Sequence, residues 1–280
     1  MGIADIGGSM VIHMFGAFFG LTVSAFTSVS KCKGHKRAES NYISDLTSLL
    51  GSVFLWMYWP SFNGALQYEN SEAMNRAFTN TILSLSGSVF AAFTCSIMFR
   101  SGEFKINVID IQNASLAGGV AMGTCADMHI LPIYAILIGI FAGCVSTLGF
   151  SRFMFIIENK LQLHDSCGVL NLHGIPGLLG AIWGCIAAGT SQNQNDSIAQ
   201  LQMVYIKAGE SDWNQQKQGH IQVIYLFITL SIAIGSGIIA GIFLKLFGNI
   251  PTKFYEDGEM FHMPHIIYED MEKLPTCNCK

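Results

Sequence analysis

The 280-residue sequence contains few charged residues. Asp, Glu, Lys and Arg make up 12% of it, about half of the roughly 25% that is usual for soluble domains. With 51% hydrophobic residues and a mean hydropathy of +0.42, this scarcity excludes a disordered chain and disfavours an ordinary soluble enzyme. The formal net charge of −4 gives no basic surface for nucleic acid, so we predict no nucleic-acid partner. The composition indicates a multi-pass membrane protein.

Motifs of catalysis and metal binding are also lacking. The sequence has no H-E-x-x-H pattern, so we expect no enzyme activity and no cofactor. The pair Cys277-x-Cys279 in the polar tail lacks the second pair that completes a zinc site. Five of the eight cysteines lie in or beside apolar stretches, where cysteine acts as a small hydrophobic residue: Cys95, Cys125, Cys144, Cys167 and Cys185.

Seven apolar stretches are long enough to cross a hydrocarbon core of ~30 Å. They are continuous, without the alternation of a transmembrane strand, so we predict an all-α fold, a polytopic membrane helix bundle. We assign residues 1–248 to this transmembrane region and residues 249–280 to a tail. The predicted spans are 6–29, 43–66, 77–99, 107–126, 130–150, 166–189 and 221–248.

Positive charge is concentrated in alternate loops. Four cations lie between Lys31 and Arg37 in the first predicted loop, and the third and fifth loops also contain cations. The positive-inside rule then places the amino end outside and the 249–280 tail in the cytoplasm. Asn195-Asp-Ser falls in a long outer loop, where Asn195 is a candidate glycosylation acceptor. A glycosylated outer loop favours the plasma membrane.

The first and sixth spans begin with the same pattern, D-x2-G-x4-H. The two copies are separated by 160 positions and consist of Asp5, Gly8 and His13, and of Asp165, Gly168 and His173. Since the two spans enter from opposite sides, the copies form an inverted repeat, and sites in such folds lie near the membrane midplane at the repeat interface. Eight helical residues rise about 12 Å, so we predict that the two imidazoles meet inside the membrane.

A histidine pair inside a membrane has two interpretations. The functional one is a site for a small hydrogen-bonding solute or a proton, because ionisable residues are expensive in the bilayer. The structural one is a pair of core histidines bonded to neighbouring helices. For Asp5 and Asp165 we favour capping of free backbone N–H groups, with attraction of a cation as the alternative. Phe62 follows a Trp- and Tyr-rich stretch typical of an interfacial belt, so composition alone assigns it no role.

Glycine pairs spaced by four residues recur along the spans, and small residues at this spacing allow close helix packing. They predict a tight bundle and oligomer formation without identifying a substrate. The pairs are Gly16/Gly20, Gly119/Gly123, Gly139/Gly143, Gly180/Gly184 and Gly237/Gly241.

Four sequence blocks resemble those of the Rhesus (Rh) glycoproteins of the ammonium transporter superfamily. They are GGSMVIHMFGAFFGL, FLWMYWPSFNGAL, IQNASLAGGVAMGT and DSCGVLNLHGIPGLLG, in that order. The resemblance implies an inverted-repeat fold and a homotrimer with one hydrophobic pore per subunit for ammonia or ammonium, with carbon dioxide as a further substrate. It matches His13 and His173 to the twin pore histidines, Asp5 and Asp165 to the acids before them, and Phe62 to one gate phenylalanine.

The family has more spans than the seven predicted here, and the match begins at the last span of the first repeat. We therefore expect a fragment with an incomplete first repeat. The alternative is a truncated, non-conducting subunit that forms hetero-oligomers with full-length Rh relatives. A seven-span receptor is a weaker interpretation, because the sequence lacks an Asn-Pro-x-x-Tyr motif in its last span and a receptor would not explain the inverted repeat.

Overall fold

A computed structural model describes residues 2–28, 40, 42–100, 104–160, 163–190, 197–247 and 261–262. These residues contain nine α-helices and no β-strand, which agrees with the predicted all-α class. Asn195 and almost all of the predicted 249–280 tail lie outside the described residues. The helices are α1 (Phe15–Thr27), α2 (Tyr42–Gly64), α3 (Ser71–Phe99), α4 (Val108–Met122), α5 (Pro132–Leu148), α6 (Met154–Lys160), α7 (Ile175–Thr190), α8 (Ile198–Gln202) and α9 (Gln215–Leu246).

Three π-helical segments interrupt this α-helical pattern. They precede α1 (Ser9–Met14), join α5 to α6 (Gly149–Phe153) and precede α7 (Leu170–Gly174). The first and third contain the two repeat histidines. π-helical turns are rare and occur frequently at functional sites.

Each predicted span overlaps a helix. In the described part of the chain, five helical stretches are long and apolar enough to cross a membrane: Ser9–Thr27, Ser71–Phe99, Pro132–Glu158, Leu170–Thr190 and Gln215–Leu246. The helices α2 and α4 are not among them, and α4 has only 15 residues. The total of seven spans therefore stays a prediction.

Local sequence explains where several helices begin. The side chain of Asn70 accepts hydrogen bonds from Glu72 N and Ala73 N at the start of α3. Asn107 and Asn214 cap α4 and α9 in the same way, and Pro132 occupies the first turn of α5. The asparagines accept hydrogen bonds from backbone N–H groups that a helix start leaves free. Proline suits the first turn because it has no N–H group that would need a partner.

Small residues allow the central helices to pack closely. Helix α3 lies against α4 and α5, and α9 lies against α1 and α7. A Cβ atom on Gly143 would lie 2.7 Å from Ser88 O, and one on Gly237 would lie 2.9 Å from Phe19 O. Not every predicted glycine pair has this role, because Gly16 and Gly20 have no neighbouring atom within 4 Å of such a position. Helical spacing alone does not specify which face of α1 meets another helix.

Candidate functional site

The imidazoles of His13 and His173 lie side by side. Their Nδ1 atoms are 3.1 Å apart, and the rings are nearly parallel, with an interplanar angle of 3° and centroids 5.1 Å apart. His13 is buried, with 8% of its surface exposed. At this distance one Nδ1 donates its hydrogen and the other accepts it, so the two rings share one N–H···N bond.

The second nitrogen of the His13 ring is available for another hydrogen bond. Among the described residues, His13 Nε2 is buried and has no hydrogen-bond partner. A neutral imidazole has one donor and one acceptor nitrogen, so Nε2 takes the role opposite to that of Nδ1. A small solute beside the ring can therefore donate to or accept from Nε2 without disturbing the bond to His173.

Each histidine follows a turn that requires glycine. Gly8 and Gly168 both have a φ of 70°, in the left-handed region that L side chains rarely adopt. In each turn the glycine N–H donates to the carbonyl of the aspartate three residues earlier, Asp5 or Asp165. The chain then enters the π-helical segment that contains the histidine, so the fixed spacing from aspartate to histidine sets the position of the ring.

The two aspartates hold the starts of these segments. The Asp5 carboxylate accepts from Met10 N at 3.1 Å and Val11 N at 2.9 Å. The Asp165 carboxylate accepts from Val169 N at 2.9 Å and Leu170 N at 3.0 Å. The capping position of the first segment is occupied by Gly8. Asp5 therefore bonds the free N–H groups of this segment from three residues before the usual capping position.

The pKa of Asp5, which lies upstream of the first apolar helix, is shifted by its surroundings. Burial raises the pKa of Asp5 above its ordinary value, whereas the hydrogen bonds from Thr124, Val11 and Met10 lower it. The Thr124 hydroxyl donates to Asp5 at 2.6 Å. These hydrogen-bond donors favour the charged form of the carboxylate.

Two aromatic side chains of α2 lie beside His13. The Trp59 ring stacks on the imidazole, with centroids 5.7 Å apart and an interplanar angle of 19°. The Phe62 ring lies 5.8 Å from the imidazole at 53°, and 48% of its surface is exposed. The structure thus brings together His13, His173 and Phe62, while Asp5 and Asp165 contact the backbone of the two turns.

Several residues at this site were not found by the sequence analysis. They are Trp59, which stacks on His13, Thr124, which bonds Asp5, and Gln222, whose amide exchanges two hydrogen bonds with the main chain of Ala4. Asp127 is also buried, and burial raises its pKa to about 6 against the opposing effect of a hydrogen bond from Gln67. A glutamine inside an apolar span was an available signal for Gln222, because buried polar groups require partners.

Comparison with known proteins supports the family resemblance. The model of the Ammonium Transporter Family matches residues 1–273. The chain is 40% identical over 276 residues to ammonium transporter Rh type C of Pan troglodytes, and 41% identical over 270 residues to Rh type B of Danio rerio. Both alignments cover 94% of this chain but only 55% and 58% of the two relatives. The chain therefore spans little more than half the length of the curated relatives it matches.

Solved structures of the family have the same fold. The structure of Rh50 from Nitrosomonas europaea has a TM-score of 0.72 at 36% identity, covering 97% of this chain and 62% of that chain. Mep2 of Candida albicans has a TM-score of 0.62 at 20% identity, covering 85% of this chain and 50% of that chain, which is a likeness of fold only. The chain is therefore a multi-pass membrane protein that belongs to the ammonium transporter family, in its Rhesus glycoprotein branch.

Proposed function

We propose that this chain contributes to a membrane channel for ammonia and ammonium, with His13 and His173 along the pathway. The observation that supports this most directly is the 3.1 Å contact between their Nδ1 atoms, with His13 Nε2 left available to a solute. The similar Rh proteins are named ammonium transporters, and Rh50 is a member of the Rhesus protein family of channels. Carbon dioxide is a second candidate substrate, proposed from the family resemblance alone.

In this proposal the two turns position the imidazoles and the aromatic rings limit access. Ammonium loses a proton outside the pathway, and ammonia passes along the histidine pair by hydrogen bonding to the ring nitrogens. Phe62 covers one side of His13 and serves as a gate, while Asp5 and Asp165 stabilise the turns through backbone hydrogen bonds. The amino end lies outside, the 249–280 tail is cytoplasmic, Asn195 is glycosylated, and three copies assemble in the plasma membrane.

The test is substrate flux through His13→Asn and His173→Asn variants in membrane vesicles. A pulse of ammonium chloride alkalinises the interior if ammonia enters, and a current without alkalinisation indicates that the cation enters. A carbon dioxide pulse, which acidifies the interior, tests the second substrate. We expect each substitution to reduce the ammonia flux several-fold.

The control is His220→Asn, since His220 is exposed at the beginning of α9. Equal fluxes in the control and both pair variants would contradict the proposed pathway.

A second candidate function is a non-conducting subunit that assembles with full-length relatives. The exposure of residues around His13 favours it, since Val11, Ile12 and Phe62 are 41%, 50% and 48% exposed and leave one side of the pathway uncovered. Two measurements separate the candidates. Native subunit mass, detected with an antibody to residues 249–280 after glycan removal, tests the length of the protein. Co-purification with a full-length Rh protein tests the assembly.

A further inference from the structure

Two cysteine side chains outside the histidine site lie against each other between α3 and α5. The Sγ atoms of Cys95 and Cys144 are 3.2 Å apart, and both residues are free thiols. Cys95 is 5% exposed and Cys144 is half-buried. The buried Cys125 has a different neighbour, the thioether sulfur of Met122 at 3.8 Å.

The helix backbones are close at this pair because small residues separate them. A Cβ atom on Gly143 would lie 2.7 Å from Ser88 O and 2.9 Å from the Cβ of Ala91. Cys144 follows Gly143, and Cys95 lies one helical turn after Ala91. The two Sγ atoms are 3.2 Å apart, so an S–S bond of about 2.05 Å closes the gap by roughly 1 Å. Joining these two sulfurs therefore requires little movement of either helix.

The surface beside the pair faces the apolar surroundings. Phe141 of α5 is 48% exposed, and Cys144 lies three residues further along the same helix face. On α3, Met98 lies three residues after Cys95, close to the same face, and is 70% exposed. A reagent dissolved in the hydrocarbon region thus reaches the half-buried Cys144 before it reaches Cys95.

We propose that Cys95 and Cys144 are a redox pair that an alkyl hydroperoxide in the bilayer converts to a disulfide joining α3 to α5. The Cys144 sulfur attacks a peroxide oxygen, the O–O bond breaks, and the alcohol leaves with the thiol proton. Cys144 is then a sulfenic acid. The Cys95 sulfur attacks the Cys144 sulfur, the S–S bond forms, and the hydroxyl group leaves as water with the Cys95 proton. The two thiols lose two electrons, and the hydroperoxide is reduced to alcohol and water.

The experiment treats membranes containing the full chain with cumene hydroperoxide, denatures the protein in N-ethylmaleimide and measures its intact mass. At peroxide doses below those that oxidise the exposed Cys167, we expect two fewer adducts than the eight that the reduced chain takes up. Non-reducing peptide mapping should identify a Cys95–Cys144 link, and dithiothreitol should restore both adducts. These measurements use the unmodified chain and do not depend on a variant that folds.

Two variants provide matched controls. Cys144→Ser should retain every remaining adduct after peroxide treatment, whereas Cys125→Ser should still lose two, because Cys125 lies beside Met122 and not beside a thiol. The proposal is overturned if Cys95 and Cys144 stay alkylated even when the dose is raised until the exposed Cys167 is oxidised. It is also overturned if the peptide map links either of them to another cysteine.

Discussion

The two copies of the D-x2-G-x4-H pattern form the same turn in different surroundings. Gly8 and Gly168 have the same φ of 70°, and each turn leads into a π-helical segment that contains a histidine. Polar groups hold the first copy: Thr124 bonds Asp5, and Gln222 bonds Ala4 next to it. A packed ring contacts the second copy, because the Phe150 side chain lies against Gly168.

This comparison separates what a short sequence dictates from what its neighbours add. A glycine with positive φ and a carboxylate that accepts backbone N–H groups are local features, and both copies have them. The contacts from other helices differ in number: Gln222 exchanges two bonds with Ala4, whereas Ser24 donates a single bond of 2.6 Å to the carbonyl of His164, the residue before Asp165. Equivalent substitutions should therefore have unequal effects in the two copies. We expect the largest effect at the two glycines and the smallest at a single hydroxyl.

The largest difference should come from alanine at the two glycines. A Cβ atom at Gly168 would overlap ring carbons of the buried Phe150, whereas one at Gly8 would meet the side chain of the half-exposed Ile12. Both variants incur left-handed strain, so we expect Gly8→Ala to destabilise by about 1–2 kcal/mol and Gly168→Ala by about 2–4 kcal/mol. Thermal unfolding in detergent measures the stability of both variants. A larger loss of stability in Gly8→Ala than in Gly168→Ala would contradict the prediction.

Gln222 of α9 should stabilise the first copy of the repeat and not the second. Gln222→Leu removes the bond from Ala4 N at 3.0 Å and the bond to Ala4 O at 2.6 Å, and it leaves two buried main-chain groups without partners. The expected loss is about 2–4 kcal/mol. Hydrogen exchange should accelerate over residues 5–13 and stay unchanged over 165–173.

The control for this prediction is Gln112→Leu. Gln112 is also buried, and among the described residues its Oε1 accepts no hydrogen bond, so the loss of stability should be small. Equal acceleration of exchange in both repeat copies would show that α9 does not act on the first copy specifically.

A buried acid near the first copy predicts a pH effect. Burial raises the pKa of Asp127 from 3.8 to about 6, so the folded state binds the proton more tightly than the unfolded state does. Stability should therefore fall as pH rises from about 4 to about 6. Asp127→Asn should remove this slope and stabilise the protein by about 2–3 kcal/mol at pH 7.5.

Unfolding temperatures measured across this pH window check the Asp127 prediction. The amide side chain introduced by Asp127→Asn retains an oxygen that can accept the bond from Gln67 Nε2, so a packing defect should be small. The comparison variant is Asp212→Asn, because the Asp212 carboxylate is exposed and paired with Lys217. Asp212→Asn should leave the dependence of stability on pH between pH 4 and pH 6 unchanged. If this dependence persists in Asp127→Asn, another titratable group causes it.

The smallest predicted effect concerns a single hydroxyl. Thr124→Val removes the 2.6 Å bond to Asp5, and we expect a loss of about 1–2 kcal/mol. Thr147→Val is the matched control, because Thr147 is equally buried but donates to Gly143 O within its own helix. Thermal unfolding compares the two, and an equal loss in both would mean that the bond to Asp5 adds nothing beyond an ordinary buried hydroxyl bond.

The membrane-helix class and the Rhesus resemblance were predictable from the sequence. In lipid, the backbone N–H and C=O groups of a long apolar stretch find hydrogen-bond partners only in a helix or a closed barrel. The sequence blocks around His13 and His173 specify the family. The repeat also predicted that the two histidines would meet, because the spans that contain the matched patterns are predicted to enter from opposite sides. The comparisons confirm the family and the fold class, while the roles of these residues stay predictions.

The partners of the site were not predictable in the same way. Nothing in the spacing of Trp59, Thr124 or Gln222 indicated that they contact His13, Asp5 and Ala4, because each contact joins segments far apart in the chain. The glycine pairs show the same limit: Gly143 lies in a close helix contact, whereas Gly16 does not. Periodicity describes one helix, but a contact depends on which face its neighbour covers.

The sequence by itself determined the local structure that repeats: the left-handed glycines, the aspartate-bonded turns and the apolar helices that follow them. The reason is that these features depend on residues within about one or two helical turns of each other. Only the tertiary structure decided that the Nδ1 atoms of His13 and His173 lie 3.1 Å apart, that Trp59 stacks on His13 and that two thiols meet between α3 and α5. Those distances are set by how closely small residues let separate helices approach.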